Sequence, residues 1–232
     1  MHFCHSTALW SDYPELVPGV IAVEGISADA DVSSRTARYE EIASSRLRIF
    51  SESELPEIQA WRRAFARMGL KPTQYRCASE SLLRRFRKEG SLPRIHPLID
   101  LCNAISIAFA IPVAVFDAAQ IAEYVEVRRA TGVESYESFS GETEHPSPGE
   151  VIFADKASRA HARRWTNRQS GYSAVQKGTT AVLIVAEAMH GSAHADVERL
   201  VAAIKDEVEA VWSARSTAGL LTSASPRFEF FT

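Results

Sequence analysis

The hydrophobic positions of the chain follow two patterns, and the first consists of short runs rich in valine and isoleucine. Such runs, bounded by turn residues, are typical of strands. The longer predicted strands are Leu16 to Ile26, Pro112 to Asp117 and Thr180 to Ala186. The shorter ones are Tyr124 to Arg128, Tyr136 to Phe139, Val151 to Ala154 and an edge strand near Phe228.

The second pattern places an apolar residue every three or four positions, which predicts helices. The predicted helices are Asp31 to Phe50, a segment around Ile58 to Met68, Ala78 to Glu89, Ile95 to Ala110 and Ala193 to Ala214. Gly69 and Gly90 stand where a left-handed residue ends a helix. Ser79 is the expected N-cap of one helix, and Pro97 suits the first turn of the next.

The helix Ile95 to Ala110 has an apolar side and a polar side, and the polar side carries His96, Asp100 and Asn103. Two interpretations of these polar residues are open. They can face water, or they can face a pocket closed by the following strand, which the chain enters directly from this helix.

Composition sets limits on the class of protein. A chain of 232 residues with 46% hydrophobic and 24% charged residues is typical of a globular protein, and we expect one domain over residues 1–232. No apolar run approaches the roughly 20 residues that span a bilayer. The start lacks a basic segment followed by an apolar core, and Cys4, Cys77 and Cys102 show no CxxC spacing. These features predict a cytoplasmic protein without disulfides.

Charge is distributed unevenly along the chain. Ten basic residues and only two acidic ones lie between Arg62 and Arg94, although the whole chain carries a net charge of -3. This segment is either a basic surface that attracts an anionic partner or an ordinary solvated helical surface. The sequence pI of about 6.2 excludes a general polyanion binder, so neither DNA nor a membrane is expected as a partner.

Common catalytic signatures are absent, including GxGxxG, GxxxxGK[ST], GxSxG and HExxH. His190 and His194 are four residues apart, which is only a weak metal signal, so we expect no metal and no cofactor. Cys77 and Cys102 lack an activating base in the sequence and are expected to be buried.

The segment from Trp165 to Gln169, WTNRQ, places an aromatic ring beside Asn167, Arg168 and Gln169. An aromatic plane with polar neighbours can stack a base while reading its edges, as the recognition of single-stranded RNA requires. The alternative interpretation is that Trp165 anchors the core and the arginines lie at its rim.

The stretch Pro93 to Asp117, PRIHPLIDLCNAISIAFAIPVAVFD, resembles the B3/B4 domain, the tRNA-editing domain of the bacterial phenylalanyl-tRNA synthetase beta subunit. The resemblance covers roughly Trp61 to Ala188 and looks closest to free-standing members of that family. The corresponding positions are Arg94, His96 in place of an asparagine, Asp100, Asn103, Pro112, Phe116, Asp117, Val127 to Ala130, Gly132, Glu134, Glu150 to Asp155, Thr179, Thr180 and Glu187, together with W-R-x-A-F from Trp61. Free-standing members typically carry R-x-W-N-x-R-Q, which this chain matches at Arg163, Trp165, Arg168 and Gln169.

This resemblance implies an α+β fold, a layered α/β sandwich with a site for an amino acid esterified to the 3′ end of tRNA. In the synthetase the domain hydrolyses mischarged tyrosyl-tRNA. The implied partner is therefore the tRNA 3′ end or an aminoacyl-tRNA, with an aminoacyl-tRNA synthetase or an elongation partner as a further expectation.

The resemblance also suggests a set of substrate- or tRNA-binding residues, while no catalytic residue is assigned. The set is His96, Asp100, Asn103, Ala114, Phe116, Asp117, Arg128, Trp165, Asn167, Arg168, Gln169, Thr180 and Glu187. Two departures from the family pattern matter. Ala114 stands where fused domains carry a histidine, and His96 replaces the usual asparagine. Glu187 aligns with the acidic residue of the tyrosine site only after a shift of one residue, so tyrosine specificity does not transfer.

Three functions remain open at this stage. The first is a stand-alone editing factor that hydrolyses misacylated tRNA, and the second is a non-catalytic module that binds tRNA or an amino acid. The third is an unrelated small-molecule enzyme on the same scaffold, because a fold alone does not fix a function.

Overall fold

The computed structural model describes residues 1–231, which form helices packed on a larger sheet of six strands and a smaller sheet of four, with a separate pair of short strands. The helices are α1 (Thr7–Asp12), α2 (Ser33–Leu47), α3 (Pro56–Arg67), α4 (Ala78–Glu89), α5 (Pro97–Phe109) and α6 (Ala193–Trp212). The strands are β1 (His2–His5), β2 (Val17–Glu24), β3 (Val113–Asp117), β4 (Tyr124–Arg129), β5 (Tyr136–Glu137), β6 (Thr143–Glu144), β7 (Val151–Ala154), β8 (Ala160–Arg163), β9 (Arg168–Gln169), β10 (Ala181–Ala188), β11 (Arg215–Leu220) and β12 (Arg227–Glu229).

The smaller sheet is antiparallel, with the strand order β11-β2-β10-β3. Its central strand β10 pairs Ile184 with Ile21 on one side and with Val115 on the other. Because successive side chains of a strand point to opposite faces, these three residues share one face, where α5 and α6 cover them. Leu183 and Phe116 point to the other face and into a second core.

The larger sheet has the order β12-β1-β4-β7-β8-β9, and only its β1–β4 pair is parallel. Its inner face presents Phe3, Val127 and Phe153 to the smaller sheet, where Phe116 and Phe153 have ring centroids 5.5 Å apart. Helix α3 closes this core through Trp61. The α+β layered sandwich that the resemblance implied is therefore confirmed.

Most elements lie where the hydrophobic pattern predicts them. Helix α4 spans the predicted residues Ala78 to Glu89, and the predicted Gly90 terminates it with φ of 77°. The predicted N-cap is wrong, because Cys77 occupies that position and Ser79 is buried inside the first turn. The first helical N–H, that of Ala78, is instead satisfied by the carbonyl of Thr166 at 2.8 Å.

Six elements had no counterpart in the sequence prediction, namely β1, α1, β6, β8, β9 and β11. Strand β1 has the sequence HFCH, in which apolar and polar residues do not alternate. It owes its place to pairing with β4 and β12, which no local pattern reports. The predicted strand at Tyr136 is shorter than expected and ends at Glu137, and Phe139 is exposed.

The basic segment between Arg62 and Arg94 is largely paired with carboxylates. Glu80 accepts from Arg62 at 2.6 Å and Glu52 lies 2.7 Å from Arg87, and both carboxylates are buried. Other arginines of the segment pair similarly, namely Arg67, Arg76, Arg84, Arg85 and Arg94. Of the two interpretations, the structure favours a solvated and charge-balanced helical surface.

Within residues 1–231, no helix combines the length and the apolar character needed to cross a bilayer.

Candidate binding pocket

A small pocket of about 50 Å³ opens between the end of β10 and the turn that joins β8 to β9. Its mostly apolar lining with a few polar groups is typical of small-molecule sites. The residues that line it are Ala78, Pro112, Val113, Ala114, Phe153, Ala162, Trp165, Thr166, Asn167, Arg168, Gln169, Val185 and Glu187. Six of the residues suggested by the family resemblance are among them: Ala114, Trp165, Asn167, Arg168, Gln169 and Glu187.

The only carboxylate in the pocket lining is Glu187, which is 1% exposed. The indole N–H of Trp165 lies 3.1 Å from each of its two carboxylate oxygens. His5 Nε2 lies 2.7 Å from Oε1, and the indole of Trp61 donates to the backbone carbonyl of Glu187 at 3.2 Å. Because a strand, a turn and a helix each contribute a hydrogen-bond donor, the position of Glu187 is strongly fixed.

The turn between β8 and β9 holds Trp165 in this position through an unusual backbone. Arg164 and Trp165 have φ of 48° and 58°, in the left-handed region that side chains other than glycine rarely adopt. The N–H of Trp165 donates to Val151 at 2.7 Å, and that of Asn167 to Arg164 at 3.2 Å. Strain of this kind tends to cluster at functional sites, where the surroundings hold it in place.

Trp165 is fully buried, and its ring makes edge contacts with Tyr13 at 4.9 Å and with Trp61 at 5.1 Å between centroids. Of the two interpretations open from the sequence, the structure matches the core anchor, and it leaves no exposed ring face on which a base could stack.

The polar residues of the turn are mostly engaged in structural hydrogen bonds. Asn167 Nδ2 donates to the carbonyl of Arg76 at 2.7 Å, and Gln169 Nε2 donates to that of Val115 at 2.6 Å. Arg168 pairs with Glu144 at 3.0 Å. By contrast, the buried hydroxyl of Thr166 has no hydrogen-bond partner among the described residues.

The other residues suggested by the resemblance do not line this pocket. His96 caps α5 by accepting from the N–H of Leu98 at 3.2 Å, and burial lowers its pKa against the opposing influence of Asp100. Asp100 accepts from the N–H of Ile95 at 2.8 Å. These residues and the half-buried Asn103 belong to α5, which packs on the face of the smaller sheet opposite Val185.

Of the four remaining suggested residues, three make structural contacts and one lies on the surface. Phe116 lies in the core between the sheets, and Asp117 accepts from the hydroxyl of Thr179 at 2.7 Å. Arg128 pairs with the buried Glu134 at 2.5 Å, while Thr180 is exposed.

Sequence reasoning missed two residues of this region, His5 and Thr166. His5 comes from β1, whose short sequence gives no strand signal, and it reaches Glu187 across 182 positions of chain. Thr166 stands inside the WTNRQ segment and lines the pocket, so its position in that motif is a signal that could have found it.

One cluster of residues has the chemistry to hold a metal ion. Glu57, His190 and Asp196 each offer a ligand atom within 4.8 Å of the others. Arg46 pairs with Glu57 at 2.6 Å and Arg199 pairs with Asp196, so guanidinium groups already balance both carboxylates. Burial alone would raise the pKa of Asp196, but bonds from Ser192, His190 and Arg199 lower it to about 2. His194, the other member of the sequence pair, is exposed and lies outside this cluster.

A known protein family and a solved structure resemble this chain. The family model described as the B3/4 domain matches residues 60–229. A solved structure similar to this chain is an N-terminal fragment of the phenylalanyl-tRNA synthetase beta subunit from Pyrococcus horikoshii, with 11% sequence identity and a TM-score of 0.47. That alignment covers 92% of this chain and 49% of the fragment, so the chain spans about half the length of that relative. No curated protein matches the sequence.

Proposed function

The chain belongs to the B3/4 domain family, and from this premise we propose that it hydrolyses the ester of a misacylated aminoacyl-tRNA. The observation that carries the proposal is the pocket itself. It combines an apolar wall, the buried carboxylate of Glu187 and the unpaired hydroxyl of Thr166 in one lining.

The pocket suits the side chain of an esterified amino acid for two reasons. Phe153, Ala162 and Val185 provide an apolar wall, and Glu187 provides one fixed polar group that can discriminate between side chains. A site built around a buried polar group rejects ligands that leave it unpaired more strongly than a purely apolar site rejects a missing methylene.

Ester hydrolysis makes modest demands on such a site. A water oxygen attacks the ester carbonyl, the ester C–O bond breaks, and a proton from the water passes to the leaving ribose oxygen. We assign Thr166 to this step, because its hydroxyl is free to accept a hydrogen bond from the attacking water or to donate one to the developing oxyanion. Glu187 is assigned to recognition, because both of its oxygens already accept hydrogen bonds.

A second function, binding without hydrolysis, is favoured by one specific observation. Ala114 lines the pocket where fused domains of the family carry a histidine, and it offers no group that can move a proton. On this alternative the pocket would hold the aminoacyl group of tRNA, or a free amino acid, without turnover.

Under either function we place the protein in the cytoplasm, with the 3′ end of tRNA as partner. Most arginines of the basic segment are already paired with carboxylates. We therefore expect weak binding to the tRNA body, unless a synthetase delivers the tRNA.

The test is a deacylation assay on a panel of misacylated tRNAs. We expect the wild-type protein to hydrolyse at least one pair above the buffer rate, and Thr166→Val to lower the rate about 10- to 100-fold with unchanged binding. Thr180→Val removes an exposed hydroxyl outside the pocket and serves as the matched control. Absence of hydrolysis for every pair would refute the enzymatic function. Saturable binding of the aminoacyl end would then support the second function.

A further inference from the structure

We propose that the pocket selects ligands whose side chain ends in a primary ammonium group, and that this ammonium becomes the counter-charge of Glu187. The inference rests on the proposed function, because it names the class of aminoacyl group that the site receives. It depends on the protonation of Glu187 and His5, on the charges around them and on the lining of the pocket.

The hydrogen-bond pattern assigns the proton between these two residues. His5 Nε2 lies 2.7 Å from Glu187, but its other ring nitrogen, Nδ1, is buried and has no partner within residues 1–231. A doubly protonated imidazole would bury an unpaired N–H at Nδ1, and so would a neutral imidazole whose Nε2 accepts a hydrogen bond from a protonated Glu187. Only the neutral tautomer with its hydrogen on Nε2 leaves no buried donor unpaired.

In that tautomer Glu187 accepts from His5 Nε2 and from the indole N–H of Trp165, which lies 3.1 Å from both carboxylate oxygens. A proton on Glu187 would be buried without an acceptor among residues 1–231, so the hydrogen-bond pattern assigns Glu187 as a carboxylate anion. Both donors, His5 and Trp165, are neutral.

The negative charge of Glu187 therefore has no balancing cation nearby. Its only ion-pair partner within residues 1–231 is His5, which is neutral in the assigned tautomer. Arg168 also lines the pocket, but its guanidinium is paired with Glu144. Other buried carboxylates of the chain differ in this respect, since Glu52 and Glu80 are each paired with two arginines.

A buried anion without a cation is costly in an apolar environment, and the cost falls when a ligand brings the missing charge. A hydroxyl group can donate one hydrogen bond to the carboxylate but leaves its charge unbalanced. An ammonium group donates a hydrogen bond and also balances the negative charge of the carboxylate. Such charge-assisted hydrogen bonds are roughly twice as strong as neutral ones.

The lining of the pocket adds the requirement for an aliphatic spacer. Ala114, Phe153, Ala162 and Val185 are apolar, so the part of the ligand that passes them is expected to be a short chain of methylene groups. Thr166 and Asn167 provide polar atoms in the same lining, where the ester end of the ligand can be held.

The experiment compares two probes of equal length, L-ornithine amide and 5-hydroxy-L-norvaline amide, which differ only in a terminal ammonium or hydroxyl. Binding is measured by titration calorimetry with the full chain near pH 7. We expect ornithine amide to bind about 10- to 100-fold more tightly. Glu187→Gln, which keeps the shape and removes the charge, is expected to erase that preference.

The control variant is Glu52→Gln, which removes a carboxylate that is also 1% exposed but is not part of the pocket lining. It should keep the preference for the ammonium probe, and thermal unfolding of both variants checks that they are folded. Equal affinity for the two probes, no saturable binding of ornithine amide, or an unchanged preference in Glu187→Gln would each overturn the inference.

Failure of this inference differs from failure of the proposed function. The probes are amides and report binding alone, so a clear preference for ornithine amide without hydrolysis of any tRNA would refute only the enzymatic function. Hydrolysis of misacylated tRNA without that preference would refute only the ammonium class.

Discussion

The indole N–H of Trp165 lies 3.1 Å from each carboxylate oxygen of Glu187, and both residues are buried. One donor thus serves two acceptors in the lining of the pocket. This relationship links the strained turn after β8 to the central strand β10, so that the stability of the fold and the geometry of the pocket depend on the same pair.

Replacing Trp165 with phenylalanine tests this pair. The change leaves Glu187 with only one side-chain donor, His5, and we expect a loss of about 1–3 kcal/mol in the free energy of unfolding, measured with urea. Trp212→Phe is the control, because that indole donates to the carbonyl of Ser27 at 2.9 Å on a more accessible part of the surface. Equal losses in the two variants would contradict the special role of the Trp165–Glu187 bond.

Gly19 of β2 packs closely against two valines of α6. A Cβ at this position would lie 2.5 Å from Val201 Cγ2 and 2.6 Å from Val197 Cγ1. We expect Gly19→Ala to destabilise the protein by about 1–3 kcal/mol through overpacking, as measured by urea unfolding. Gly178→Ala has open space around it and should change the stability by less than about 0.5 kcal/mol. A neutral Gly19→Ala would mean that α6 does not pack this closely on the sheet.

Glu134 makes stability depend on pH. Burial would raise the pKa of this carboxyl, but Arg128 and the backbone N–H groups of Thr131 and Gly132 lower it from 4.5 to about 2. Because the pKa in the folded state is the lower one, the stabilisation is complete above pH 4.5 and is lost as the pH falls toward 2. The loss amounts to about 3 kcal/mol for this group.

The measurement is the free energy of unfolding at several pH values between 5 and 2.5 for the wild type and for Glu134→Gln. The variant should be less stable at pH 5, and its stability should fall less steeply as the pH decreases. Parallel curves for the two proteins would contradict the assignment to Glu134.

Much of the fold could be predicted from the sequence, since helices such as α4 and α6 show strong periodicity and β10 is a continuous apolar run. The remaining elements depend on distant partners. Strand β1 has no local signal and forms because β4 and β12 flank it. The basic segment shows the same limit, because its acidic partners include Glu15, Glu40 and Glu52, which precede it in the chain.

The candidate site could be predicted only in part, for a similar reason. The WTNRQ segment and Glu187 stand in matching motifs, and the structure brings them to one pocket. Asp100 matched the same family pattern and His96 stood at its asparagine position, yet α5 carries both to the other face of the smaller sheet. Periodicity indicates which side of a helix is polar, but it does not indicate which face of a sheet that helix covers.

The most direct test of the central claim, that this pocket receives the aminoacyl end of tRNA, is an NMR titration of the indole N–H signals. The ligand is a non-hydrolysable adenosine that carries an amino acid in 3′-amide linkage, with ornithine as the first choice. The account predicts that the Trp165 signal shifts in a saturable manner while that of Trp212, which lies outside the pocket, stays in place. An unchanged Trp165 signal in the presence of saturating ligand would contradict it.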